Sequence, residues 1–519
     1  MDTPQAAAVP WLTVLILVPL VAAVILAFTK SLHRQAKSYG LVVSVLVLAG
    51  TIAAFASEFD MSAGGTVQLA ETYSWIPSIG VSIAWGANGM SAAMIGLSVL
   101  LVPLVILTAD SDRFLRPHEE ENGRRDAGYV AWVLALESVM IAIFAAQDVF
   151  LFYVLFEAML LPVYFLIGRY GGPKRQAAAL KFLLYSLAGG LIMLVGVVAV
   201  YVSGPGGPEG FLIANLAGSV TGSDTALMLM FLSFFIAFAV KAPMFPVHTW
   251  LPDATEEAPA GTSALLVGVL DKVGTYGMIA LCLPLFPQAV EQASTVIMVL
   301  ALISILWGGF MAIASKDLMR LVAYTSVSHF GFMVMGIFSG SETAMTGAIL
   351  YMVAHGVGTA ALFLIVGYLA KRGGSQVITD YGGWQRVTPV LAGAFLISGL
   401  ATLSLPGLSG FVAEFMVLAG TYSVSKVIAG IAVLGVLLAA VYILLPYQRV
   451  FTGPRPALQV ADLSVAEKTV AGVLIAAMLA LGFLPGPIID LVEPVAQQSV
   501  AIVADSVSAA PALIEGNLT

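Results

Sequence analysis

Lys241 closes a long apolar run, and two prolines, Pro243 and Pro246, follow it at once. A lysine inside a membrane span costs about 2.5–3.5 kcal/mol on insertion scales. A helix broken at membrane depth is tolerated only where protein or a water-filled cavity surrounds it. The two together point to an ion-handling site and not to a simple anchor. Six more ionisable residues sit inside apolar runs: Glu137, Glu157, Lys272, His329, His355 and Glu414. The chemistry open to these types is proton transfer. A low-dielectric site disfavours the charged form of a lysine, and a nearby carboxylate restores it. Moving or neutralising that carboxylate makes the lysine give up its proton, so the pair is a gated proton store. Histidines between stores relay protons near neutral pH.

Each residue also has a structural reading. A buried Glu157–Lys241 pair can be glue between helices. His329 and His355 can be core imidazoles bonded to a neighbouring helix. Glu137 can be a second partner for Lys241 or a structural carboxylate. His248 and Asp253 lie near the mouth of the broken helix and can cap or brace the turn there. Asp271 adjoins Lys272, but neighbouring residues do not share a helix face, which argues against their pairing.

The elements that hold these groups follow from composition. The chain of 519 residues is 60% hydrophobic and 10% charged, with mean hydropathy +0.98. That is a polytopic membrane protein. With roughly 20 apolar residues per crossing, about fourteen spans are predicted, near 11–29, 39–57, 88–108, 128–146, 149–168, 179–202, 226–249, 260–283, 293–313, 321–339, 343–370, 388–423, 427–448 and 467–490. No ten-residue alternating pattern of the barrel type occurs. The first run has no basic segment before it and no clear cleavage site after it, so it reads as a retained span. The single cysteine, Cys282, excludes an internal disulfide and leaves this chain unable to hold a cysteine-ligated iron–sulfur cluster alone; it reads as a packing residue. No basic stripe suits nucleic acid.

Basic residues alternate between loops. Lys30, Arg34 and Lys37 lie in loop 1–2, and Arg113, Arg116, Arg124 and Arg125 in loop 3–4. Arg169, Lys174, Arg175 and Lys181 lie around loop 5–6, and Lys316 and Arg320 in loop 9–10. Lys371, Arg372 and Arg386 follow in loop 11–12, and Arg449, Arg455 and Lys468 in loop 13–14. Only Lys426 lies on the opposite side. The positive-inside rule places these loops in the cytoplasm and both termini outside. The acidic run Glu119–Glu121 reads as a solvated loop face.

Span 12 resembles span 7. It carries Pro406, Gly407 and Gly410 as a break, with Glu414 just beyond. The two breaks are five spans apart, so spans 4–8 and 9–13 read as two five-helix units. Five is odd, so the second unit must be inverted, a transporter architecture. The chain then divides into N-terminal helices 1–3 (1–127), a first repeat (128–283), a second repeat (284–450), and helix 14 with its tail (451–519). The tail from 491 onward is free of Lys and Arg and is not expected to form a long amphipathic helix.

At FEAMLLPVYFLIG around Glu157, KAPMFPVHTWLPDATEEAP around Lys241, DKVGTYG around Lys272, YTSVSHFGF around His329 and MVAHG around His355, the sequence resembles the antiporter-like membrane subunits of respiratory complex I. The likeness covers roughly spans 3–14. Multisubunit cation/proton antiporters share much of the pattern. The GFVAEF segment separates them, because Glu414 stands where sister subunits and antiporters typically have lysine; this is the M-type (chain 4) pattern. The resemblance implies a relay in which Glu157 and Lys241 are the input pair, Lys272 the central relay and Glu414 the exit carboxylate, with His329, His355 and Glu137 in support. It implies a bacterial plasma membrane location, sister membrane-arm subunits as partners, compatibility with wider respiratory assemblies, and flavin, iron–sulfur clusters and quinone in partner subunits. None of that redox chemistry belongs to this chain, which has no Gly-rich dinucleotide fingerprint at a strand–helix junction. Its share of the enzyme would be proton translocation. The alternatives are a subunit of a cation/proton antiporter and a membrane scaffold that does not pump.

Overall fold

The computed structural model describes residues 4–111 and 122–515. Arg113, Arg116, the Glu119–Glu121 run and the last four residues lie outside them. Thirteen helices are long and apolar enough to cross a membrane. They begin with α1 (Trp11–Phe28) and α2 (Ala36–Glu58). A hairpin of β1 (Gln68–Ile76) and β2 (Val81–Ala87) then precedes α3 (Gly89–Leu107) and α4 (Asn122–Ala145). Span 5 is α5 (Val149–Ala158) continued by α6 (Leu160–Tyr170), and span 6 is α7 (Arg175–Ser203). A short α8 (Ile213–Leu216) leads to α9 (Asp224–Lys241) and α10 (Trp250–Glu257). Span 8 is not a regular α-helix. It runs as α11 (Ala260–Leu265), a π-helical stretch Leu266–Leu270, α12 (Lys272–Gly277), a second π stretch Met278–Cys282, and α13 (Leu283–Leu285).

The second half has α14 (Pro287–Ala314), α15 (Leu318–Phe338) and α16 (Glu342–Gly373). The predicted span 388–423 is two short helices, α17 (Pro389–Thr402) and α18 (Ser409–Val424). With α19 (Lys426–Phe451) and α20 (Val465–Phe483) the crossings are complete. The thirteen long helices and this broken one account for every predicted span, and the two breaks fall in the fourth span of each five-span unit.

Side-chain caps start many of these helices by satisfying backbone N–H groups that have no intrahelical partner. Asn88 caps α3 through the Ser91 N–H at 3.0 Å. Asp317 caps α15 through Met319 and Arg320. Ser464 and Glu467 form a capping box on α20. Burial then sorts the spans. The apolar window of α16 is 100% buried, and those of span 8 and α15 are 94% buried, against 28% for α20 and 33% for α2 and α19. The core is therefore α15, α16 and span 8, and these carry His329, His355 and Lys272.

Polar contacts define two faces. On one, basic residues tie alternate loops together: Lys37 to Asp110, Lys181 and Arg320 to Asp253, and Arg372 to Glu467, each at 2.6 Å. On the other, the N-terminal segment pairs with the hairpin through Gln5 and Ala7. The hairpin is an addition to the all-helical expectation.

The C-terminal segment corrects the sequence reading. Gly486–Glu515 is a 30-residue helix, α21, about 45 Å long at 1.5 Å per residue. Leu491, Val492, Val495, Ala496 and Ser499 are buried, a one-sided stripe at helical spacing. The carbonyl of Leu491 lies where any side chain on Gly64 or Gly89 would be, so these glycines let α21 lie against the start of α3. The expected absence of a long amphipathic helix is thus wrong.

Candidate proton-transfer site

Lys241 is the last residue of α9 and 1% exposed. Its Nζ has no hydrogen-bond partner and stands 5.2 Å from the centroid of the Phe182 ring, a cation–π distance. The break beyond it is held by specific bonds. The Trp250 indole N–H donates to the Val240 carbonyl at 2.9 Å, and the Phe245 N–H donates to Ser304 Oγ at 2.9 Å. Trp250 thereby satisfies a carbonyl that the ended helix leaves free and folds α10 back beside Lys241.

Glu157 ends α5 next to the junction with α6 and is half-buried. It and Lys241 are within electrostatic reach but form no hydrogen bond, since Glu157 Oε1 and Lys241 Nζ are both unpartnered. The expected input pair is therefore separated in this structure. Adjacent glycines on α7 shape the gap. A Cβ at Gly189 would touch Ala237 and Val240 of α9, while a Cβ at Gly190 would overlap Glu157 Oε1. Gly190→Ala should displace this carboxylate without removing any charge. Acidification of sealed vesicles by the assembled complex should fall, by less than the roughly hundredfold or more that outright loss of a proton-transfer group costs. An unchanged rate would show that the position of Glu157 is immaterial.

Lys272 opens α12 and is fully buried. Its Nζ donates to the Val267 carbonyl at 2.5 Å and lies 2.8 Å from His355 Nδ1. Val267 is in the π stretch, where the widened turn offers the side chain a carbonyl on its own helix. A charged Lys272 donates, so His355 Nδ1 accepts and the ring N–H sits on Nε2. The His355 and His329 rings are 5.2 Å apart, and His329 Nε2 is 2.9 Å from the Tyr442 hydroxyl. Tyr351, four residues before His355 on α16, lies 5.7 Å from the His329 ring. Glu414, on α18 and 4% exposed, accepts hydrogen bonds from Tyr351 and Ser404 hydroxyls, each 2.6 Å. Ser404 is in the break, with φ 60°. Lys272, His355, His329, the two tyrosines and Glu414 thus form one continuous buried polar file.

The structure also separates residues that the sequence grouped. Glu137 is fully buried, with neither carboxylate oxygen hydrogen-bonded. Glu137 therefore forms no hydrogen bond with Lys241, whose nearby carboxylates include Asp271 and Glu157. Asp253 is the brace that the sequence allowed. Burial opposes its charge, yet hydrogen bonds from Lys181 and Arg320 prevail and hold its carboxyl below the usual range. Sequence reasoning did not single out Tyr351, Tyr442 or Ser404, which line these groups, and set Asp271 aside.

Broken helices at matched positions and a buried file of titratable groups define an antiporter-like membrane subunit. Residues 146–439 match the family described as NADH:quinone oxidoreductase/Mrp antiporter, transmembrane, a stretch that includes Glu157, Lys241, Lys272, His329, His355 and Glu414 and ends just short of Tyr442. NADH-quinone oxidoreductase subunit M of Mycobacterium tuberculosis H37Rv is 44% identical over 95% of each chain. Subunit M of Rhodobacter capsulatus is 37% identical over 93% of this chain and 95% of that protein. A chain of respiratory complex I from Thermus thermophilus with bound NADH superposes with TM-score 0.85 at 32% identity, covering 95% and 99%. The Mrp complex from Dietzia sp. DQ12-45-1b shares the fold, with TM-score 0.83 at 22% identity over 95% and 99%. The chain belongs to the subunit M family of NADH–quinone oxidoreductase, the antiporter-like subunits of the complex I membrane arm.

Proposed function

We propose that this subunit translocates protons through the buried groups, coupled to NADH:quinone electron transfer in partner chains. The observation that carries the reading is the buried file of neighbouring polar groups from Lys272 through His355 and His329 to Glu414, bracketed by two helix breaks. A proton enters at the Glu157–Lys241 end, passes to Lys272, and crosses the imidazoles and hydroxyls to Glu414. Each imidazole has one nitrogen free of protein partners, His355 Nε2 and His329 Nδ1, where a water can link them. Five spans apart, the two breaks act as the matched centres of inverted units 128–283 and 284–450. Moving one charge against the membrane potential takes about 2.3 kcal/mol per 100 mV, so the driver is the redox chemistry of partners carrying flavin, iron–sulfur clusters and quinone.

Glu157 supports a partner beside this chain. It is partly exposed in the middle of a span, and a carboxylate there does not face lipid. A sister membrane-arm subunit covers the α5–α7 surface. The basic face is cytoplasmic by the positive-inside rule, which puts α21, the hairpin and both termini on the outer side of a bacterial plasma membrane.

Affinity purification through a tag on this chain should recover a complex with NADH:quinone activity that acidifies sealed inverted vesicles. A cysteine placed at Lys316 should label with an impermeant reagent only from the cytoplasmic side. Recovery of a cation/proton antiporter assembly, without quinone reduction, would replace this reading, and labelling of Lys316→Cys from outside would reverse the orientation.

A further inference from the structure

Asp271 is a buried charge with no evident structural occupation. It is 0% exposed, and neither carboxylate oxygen has a hydrogen-bond partner. A carboxylate stripped of water and left unpaired is strongly unfavourable, so its place needs a reason. It sits where the π stretch Leu266–Leu270 meets α12, its N–H bonded to the Leu266 carbonyl at 2.9 Å. Adjacent residues on a helix point about 100° apart. Lys272 uses that divergence to reach α16, where it meets His355. Asp271 is within electrostatic reach of Lys241 of α9 as well as of its own neighbour Lys272.

The backbone brings these helices unusually close. A Cβ at Gly274 would stand 2.5 Å from the Phe238 carbonyl and 2.6 Å from the Ala242 N–H. Gly274 therefore seats the start of α12 directly on the end of α9, where Lys241 lies. The titratable groups around this junction are Lys241 from α9, Lys272 on the same helix, and Glu157 from α5 acting on Lys241. One carboxylate stands within electrostatic reach of both lysines, bonded to neither.

We propose that Asp271 is the proton-carrying station between Lys241 and Lys272. This rests on the proton-translocating reading above. The Lys241 ammonium gives a proton to the Asp271 carboxylate, directly or through one water, leaving a neutral amine and a carboxylic acid. The acid O–H then gives that proton to a neutral Lys272 amine, restoring the carboxylate and forming an ammonium. The first transfer breaks an N–H bond at Lys241 and forms an O–H bond at Asp271, the second breaks that O–H bond and forms an N–H bond at Lys272, and one positive charge moves from α9 to span 8.

The test uses the whole assembled complex in sealed vesicles, with Asp271→Asn, Asp271→Glu and Lys241→Ala compared. Asn keeps the shape and removes the proton-carrying group. Acidification by the Asn variant should fall by about a hundredfold or more, as for loss of a proton-transfer group, and Glu should restore most of it. Turnover-induced infrared difference spectra of complex made with isotope-labelled aspartate should show a carboxylic-acid C=O band that Asn abolishes. Normal acidification by Asp271→Asn beside a defective Lys241→Ala overturns this inference alone. Normal acidification by both removes the proton-translocating reading with it. If neither Asn nor Glu assembles, Asp271 is a structural counter-ion and the inference is likewise overturned.

Discussion

Lys241→Ala should abolish proton translocation while the complex still assembles. Lys241 Nζ makes no hydrogen bond that the fold depends on, and its surroundings are the Phe182 ring and two carboxylates held beyond bonding distance. The break itself is secured elsewhere, by Trp250 on the Val240 carbonyl and by Ser304 on the Phe245 N–H. Truncation to Ala therefore deletes the proton store and leaves the scaffold of α9 and α10. Loss of a positioned proton-transfer group costs about a hundredfold or more. Native gels read assembly, and quenching of an acid-sensitive dye in vesicles reads translocation. Normal acidification with Ala in place would remove Lys241 from the pathway.

Glu414→Gln should have an effect of similar size at the other end of the file. Glu414 accepts from the Tyr351 and Ser404 hydroxyls at 2.6 Å each, and the glutamine carbonyl can accept the same two bonds. Removing a buried charge in a neutral isostere is not expected to weaken the fold. What disappears is the ability to take a proton from the file and release it. Glu414→Lys should preserve part of the activity, because a lysine titrates and hydroxyls can turn from donating to accepting. Full translocation by assembled Glu414→Gln complex would place the exit elsewhere.

Much of this was legible because a membrane makes polar groups costly. The apolar runs gave the spans, and a lysine beside Pro243 and Pro246 marked the first break. Pro406, Gly407 and Gly410 marked the second in the same way. What was not legible lacks such a signal. Tyr351, Tyr442 and Ser404 are uncharged hydroxyls, and no desolvation argument separates them from packing residues; only the four-residue spacing from Tyr351 to His355 on α16 hinted at a shared face. The two π stretches contain no residue that forbids a regular α-helix. Asp271 was passed over because it and Lys272 point apart, yet that divergence lets one helix address α9 and α16 together. Helix α21 was read as a tail free of Lys and Arg, although its buried positions from Leu491 to Ser499 carry the helical period.

The most direct measurement is the number of protons translocated per NADH oxidised, taken in the same sealed vesicles for wild-type complex, Lys241→Ala and Glu414→Gln, each verified as assembled. If the buried file of this subunit carries protons, both variants give a lower ratio for whatever NADH:quinone turnover remains. An unchanged ratio in both, with turnover intact, would contradict the account and leave this chain a membrane scaffold.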